Sequence, residues 1–197
     1  LNLAPEEKPI LEGFFEEQGV AVEALYPMTR GRVLSVNAEE LPEWREVEGK
    51  GVPRQREANF TWSDSLPEGN LLIDGEWWDP GDTRAWISLE EGFAQDVGAG
   101  LGDRLVVRIG AAELEAEVRS IRQVDWKSMR PNFYVVFPRQ VLEQYPGMYM
   151  TSFRLLPNQK PLLNKLVSVL PTVTVIELDI VIREMRTVID QVARALE

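Results

Sequence analysis

Ile121-Arg-Gln-Val-Asp-Trp-Lys-Ser-Met-Arg130-Pro-Asn-Phe-Tyr-Val-Val-Phe-Pro138 is the stretch on which the fold turns. Aromatic and β-branched residues flank an interruption at Arg130-Pro131, which fits a strand, a bend and a second strand. Residues 139–145 then suit roughly two helical turns. Pro146-Gly147 punctuates, and Met148-Tyr-Met-Thr-Ser-Phe153 is extended again. Alternation over 132–137 places Phe133, Val135 and Phe137 on a core face, with Tyr134 and Val136 on the other. Trp126, Arg130 and Asn132 fall in the bend, where they are candidates for contact with a partner or substrate.

Working outward, Pro157 precedes a helix expected over 160–170 and a strand over 173–178. From Glu177 onward Leu178, Val181, Ile182, Met185, Val188, Ile189, Val192 and Leu196 recur at helical spacing, an amphipathic helix with Arg and Asp opposite. No Gly or Pro closes it, so it is expected to run on beyond Glu197. A chain opening on Leu1 fits a piece of a longer protein.

At the other end, 1–4 reads as a strand. Pro5-Glu6-Glu7 opens a helix whose buried face is Ile10, Leu11, Phe14 and Phe15, and Gly19 closes it. A strand over 20–28, a turn at Arg30-Gly31 and a strand over 33–36 follow. Residues 38–58 lack periodicity and read as a connecting excursion pinned by Leu41 and Trp44. Strands are expected at 59–62, 70–73, 86–89, 104–109 and 113–119, with one helix at 90–97. Both chain ends therefore read strand-helix-strand around a β-rich middle. In an α+β chain of this order the ends (1–37 and 148–197) pair, and 59–137 is inserted.

Composition narrows the function. The 197 residues are enough to bury a core without staples. A net charge of −11 with no basic cluster argues against a nucleic-acid partner. The sequence contains no His and no Cys, which excludes Ser-His-Asp and Cys-His catalysis and zinc sites built on nitrogen or sulfur. No apolar run reaches the roughly 18–20 residues of a membrane-spanning helix.

Individual motifs have simple structural readings. Gly98-Ala-Gly-Leu-Gly102 follows a helix and precedes a strand, the reverse of a dinucleotide loop, so it reads as a turn. Asp74, Glu76, Asp79 and Asp82 offer oxygen ligands but lack the EF-hand spacing, and a solvated turn loop suffices. Glu90 and Glu91 are neighbours and do not face each other as a glycosidase pair would. Ser63-Asp64-Ser65 has no base to activate a hydroxyl. In the same acidic loop Trp77 and Trp78 are adjacent, so in extended backbone one must turn outward, a second contact candidate.

The sequence Val124-Asp-Trp-Lys-Ser-Met-Arg-Pro-Asn-Phe-Tyr-Val-Val-Phe-Pro138, followed by Tyr149-Met-Thr-Ser-Phe153, resembles the YbbP-type ABC-transporter permeases, relatives of the MacB and FtsX permeases. The opening Leu1-Asn-Leu-Ala-Pro-Glu-Glu7 with Leu25–Asn37, and the run Glu91–Gly110, are similar to the same family. The resemblance implies a non-catalytic periplasmic domain without cofactor: a split βαβ porter-like unit with an inserted β-rich subdomain and a C-terminal stalk helix. It also implies a cytoplasmic ATP-binding subunit, a homologous domain in the same permease, and a periplasmic lysophospholipase or thioesterase acting on lipid-like material. On this reading Val181, Ile182, Met185 and Val188 couple ATP-driven motion to the domain. The alternative is a stand-alone periplasmic lipid- or carbohydrate-binding β-module using the Trp loop.

Overall fold

The computed structural model describes residues 1–177 except 23, 43, 48, 49, 54–56 and 129, with backbone alone at 44–47 and 50–53. The strands are β1 (Asn2–Leu3), β2 (Tyr26–Val36), β3 (Glu39–Glu40), β4 (Trp44–Val47), β5 (Lys50–Pro53) and β6 (Ala58–Trp62), then β7 (Asn70–Gly75), β8 (Trp86–Glu90), β9 (Arg104–Ile109), β10 (Ala112–Val124), β11 (Val135–Phe137) and β12 (Met148–Met150). The helices are α1 (Lys8–Gln18), α2 (Glu91–Val97), α3 (Arg139–Leu142) and α4 (Leu162–Val169).

Strand pairing followed from β2 through β6, β11, β8, β10 and β9 returns to β2. A closed ring of this kind leaves no free edge among its members. Alternation decides what fills it: along β9, Leu105, Val107 and Ile109 point inward while Arg104 and Arg108 face water. Phe60, Ile87, Leu89, Val135 and Phe137 join them in one apolar core, with Phe93 and Val97 of α2 and Val141 and Leu142 of α3 packed on it. Burial of these side chains contributes about 1.5–3 kcal/mol each. Glu90 fixes where α2 begins by accepting from the Phe93 N–H at 2.8 Å. β7 lies outside the ring, paired with residues 120–124 of β10.

A second core joins the two ends of the described chain. Leu3, Leu11, Phe14, Phe15 and Val20 pack with Leu166, Leu170 and Val173. β1 pairs with β12, and Asn2 exchanges backbone hydrogen bonds with Thr174, at 3.1 and 3.3 Å. β12 in turn pairs with residues 26–28 of β2, whose later residues belong to the ring. β2 therefore serves both cores.

Several expectations are corrected. Arg30-Gly31 is no turn, because β2 runs unbroken through it; a Cβ on Gly31 would lie 2.2 Å from Phe60 Cε2, so this glycine serves close packing. Ile10 is 49% exposed, past the edge of a stripe made by Leu11, Phe14 and Phe15. Val136 is buried too, on the face of β11 opposite Val135 and Phe137, where it is grouped with Tyr26, Trp62 and Phe133. The connecting stretch 38–58 contains β3 and the β4–β5 hairpin. Helix α3 spans only Arg139–Leu142. Among the described residues the strand expected at 173–178 is reduced to the Thr174 bridge with Asn2. The coupling residues Val181, Ile182, Met185 and Val188 lie outside the described residues.

Candidate functional site

Two loops face each other across paired strands, because β6 pairs with β11 and β10 with β7. One, 63–69, connects β6 to β7; the other, 125–134, connects β10 to β11 and is the bend singled out in the sequence. Asp125 organises the bend: its carbonyl accepts from the Ser128 hydroxyl at 2.8 Å and from Asn132 Nδ2 at 3.1 Å, and its carboxylate accepts from the Lys127 N–H at 3.0 Å. The Asp125 N–H reaches Gly69 O at 3.3 Å, and Arg130 bridges to Glu68 at 2.5 Å, so the loops are tied at two points. Between them lies a cavity of about 380 Å³, with Tyr26, Trp62, Leu66, Asn70, Arg122 and Phe133 in its wall.

Arg122 dominates that wall. It continues the inward parity of Ala116, Val118 and Ser120 along β10 and has no exposed surface at all. Its Nε donates to Ser88 Oγ at 3.0 Å, its NH2 donates to the Phe133 and Tyr134 carbonyls at 3.1 Å each, and its NH1 donates to Asn70 Oδ1. Ser120 donates to the same Ser88 hydroxyl at 2.8 Å. Every one of these acceptors is neutral, and no carboxylate lies within ion-pair distance of Arg122 among the described residues. Burial pulls its pKa down to about 10 and the charge of Glu90 opposes the shift, so the guanidinium stays cationic at neutral pH. The arrangement pins the bend to β8 and β10, and it holds a desolvated positive charge at a cavity wall.

Of the bend residues chosen from sequence, one lines this cavity and two lie outside its lining. Asn132 lines it, Arg130 closes one side through Glu68, and Trp126 is exposed, its ring 4.7 Å from that of Tyr134 and its N–H on Glu90 at 3.3 Å. The Trp pair departs from the extended-backbone expectation. β7 ends at Gly75, so period-two alternation does not reach 77–78, and the two rings pack tilted at 31° with centroids 4.2 Å apart. Trp78 is buried and donates to Ser63 O at 2.9 Å, bracing the 63–69 loop from behind, which removes it as a contact surface. Trp77 is half-buried, with an indole N–H that meets no acceptor among the described residues.

The acidic loop's carboxylates have separate partners. Asp74 accepts from the Gly75 N–H at 2.8 Å, and Glu76 pairs with Arg119 at 2.5 Å. Asp82 takes Arg84 and the Trp86 N–H, and the hydrogen bond from Arg84 holds its carboxyl down at about 2. In the glycine turn the Asp103 carboxylate accepts from the Gly100 N–H at 2.7 Å and from Asn37 at 2.8 Å, filling the place an anion would take.

Arg122 is the residue that sequence reasoning missed. Leu114, Ala116 and Val118 alternate with charged residues in the strand expected over 113–119, and that alternation carried on to 122 places this charge on the core face.

In sequence the chain is similar, along its whole length, to an ABC transporter permease of the YbbP type. The chain is 34% identical over its 197 residues to the uncharacterized ABC transporter permease YbbP of Escherichia coli (strain K12), and it spans 23% of that protein's length. A solved domain assigned to a permease of Porphyromonas gingivalis aligns over 84% of this chain and 74% of its own, with 13% identity and a TM-score of 0.35, a likeness too slight to carry an argument. No family model matches the chain. Among the described residues no helix is long and apolar enough to cross a membrane.

Proposed function

We propose that the chain is a non-catalytic extracytoplasmic domain of an ABC permease, built to pass ATP-driven motion of membrane segments to a docking surface. The full-length similarity to YbbP carries the reading. Its transporter kinship, together with a sequence devoid of His and Cys, favours a mechanical over a catalytic role. The adjacency of Asn2 and Thr174 supports it further, because a domain driven through both of its ends needs them side by side. In this reading the ends form the porter-like unit, the strand ring is the inserted part, and residues from Glu177 onward form the stalk. The cytoplasmic ATP-binding subunit supplies the stroke, and a homologous domain of the same permease moves against this one. The bend around Trp126 presents lipid-like material or a periplasmic lysophospholipase or thioesterase.

The test uses the intact permease with its ATP-binding subunit in nanodiscs. Polar replacement of Val181, Ile182, Met185 and Val188 should leave ATP hydrolysis running while abolishing the ATP-dependent distance change between a spin label on this domain and one in the membrane. An unchanged distance response would refute the proposal.

A further inference from the structure

The cavity between the 63–69 loop and the bend has a composition that a mechanical role does not require. Its volume falls at the lower end of the range of small-molecule sites. Its apolar lining includes three aromatic residues, Tyr26, Trp62 and Phe133, together with Leu66 and Pro67. Behind this apolar wall stands a fully buried guanidinium satisfied by neutral oxygens alone. Such a group has lost the solvation of its charge and gained no counter-charge in contact, the condition under which an entering anion is most strongly held.

The cover over this charge is slight. Only the Asn70 carboxamide caps the NH1 edge, and Asn70 is otherwise tied through its side chain by one long contact, 3.5 Å to Glu68 O. NH1 carries two hydrogens and makes one hydrogen bond. The carboxylate of Glu90 lies near but is engaged with the Phe93 and Trp126 N–H groups, and that of Glu68 with Arg130. Both therefore stay on their own partners.

We propose that this cavity binds a small aromatic carboxylate, whose carboxylate takes the place of Asn70 Oδ1 on Arg122 and whose ring lies against Tyr26, Trp62 and Phe133. The aromatic wall selects a flat apolar body, and the planar guanidinium edge selects a planar anion. A fully charged phosphate lacks the body, and an aromatic alcohol lacks the charge.

The test titrates the 197-residue chain with 1-naphthoate, 1-naphthalenemethanol and inorganic phosphate, following amide and indole N–H resonances by NMR. Naphthoate should bind saturably and at least tenfold tighter than the alcohol, shifting signals of Trp62 and of residues 131–133, while phosphate leaves them in place. Asn70→Asp sets a carboxylate of the chain's own on Arg122. It should weaken naphthoate at least tenfold without lowering the melting temperature, and Asn70→Ala, which removes the cover, should tighten it. Equal affinity for acid and alcohol, binding of phosphate in preference to naphthoate, or wild-type affinity in Asn70→Asp would each overturn the assignment.

Discussion

Replacing Gly31 by Ala tests the close packing on which the strand ring depends. A methyl group built there would lie 2.2, 2.6 and 2.8 Å from three carbons of the Phe60 ring, against an ordinary contact of 3.4–4 Å. The ring must therefore retreat by more than 1 Å, and it has nowhere to go. Phe60 has no exposed surface, and its centroid sits 5.7 Å from that of Phe137 inside the same core. The backbone at Gly31 does not have positive φ, so the whole penalty is steric. Gly31→Ala should fall at the top of the overpacking range, about 3 kcal/mol. Phe60→Ala alone should cost about 3–5 kcal/mol through the cavity it leaves. In the double variant the new methyl enters space already vacated, so the double should be no less stable than Phe60→Ala, a coupling of about 3 kcal/mol. Urea unfolding followed by tryptophan fluorescence measures all four states, with the m-value checking that the transition stays two-state. Additive losses, or a Gly31→Ala protein within about 0.5 kcal/mol of wild type, would refute the reasoning.

Asp82 is held at about 2 in the folded chain against an ordinary aspartate's 3.8, so as pH falls the unfolded state takes up its proton first. Its stabilisation is complete above about pH 4 and is lost on descent to about 2; Asp82→Asn should remove about 1 kcal/mol at neutral pH and flatten the stability curve in that acid window, as read by urea melts at a series of pH values. Glu90→Ala removes the α2 cap and the Trp126 acceptor together, and should cost about 1 kcal/mol while shifting the Trp126 indole N–H resonance. Asn2 and Thr174 form a mutually hydrogen-bonded antiparallel pair, whose usual Cα separation of about 5.5 Å suits a disulfide. Since the chain has no Cys, Asn2→Cys with Thr174→Cys should oxidise to one cross-link and raise the melting temperature reversibly with reductant. Failure to cross-link would count against the joined ends.

Local chemistry made much of the fold legible. The strand at 104–109 was legible, as was the helix before the glycine turn, where Gly98 takes a φ of 75°. The core role of Phe133, Val135 and Phe137 followed from parity. What escaped depended on partners distant in sequence. Gly31 looks like a turn until Phe60 is known to lie over it, and the second face of β11 looks open until Val136 is known to be grouped with Tyr26, Trp62 and Phe133. The closed ring rests on β9 pairing with both β2 and β10, which no local pattern announces. At the site, the bend was found from its aromatics and its Arg-Pro break. Arg122 was passed over because a charge in a strand reads as outward unless its parity is followed to the end.

The seam where the two ends of the described chain meet is short. Beyond the packing of Leu3, Leu11, Phe14, Phe15 and Val20 on Leu166, Leu170 and Val173, its backbone pairing is β1 against β12 plus one bridge to Thr174, whereas the ring is stitched all the way round. Tension delivered at the chain ends would therefore unzip the seam first, as a fuse yields before the circuit behind it. The ring and the cavity beside it would then travel as an undeformed cargo.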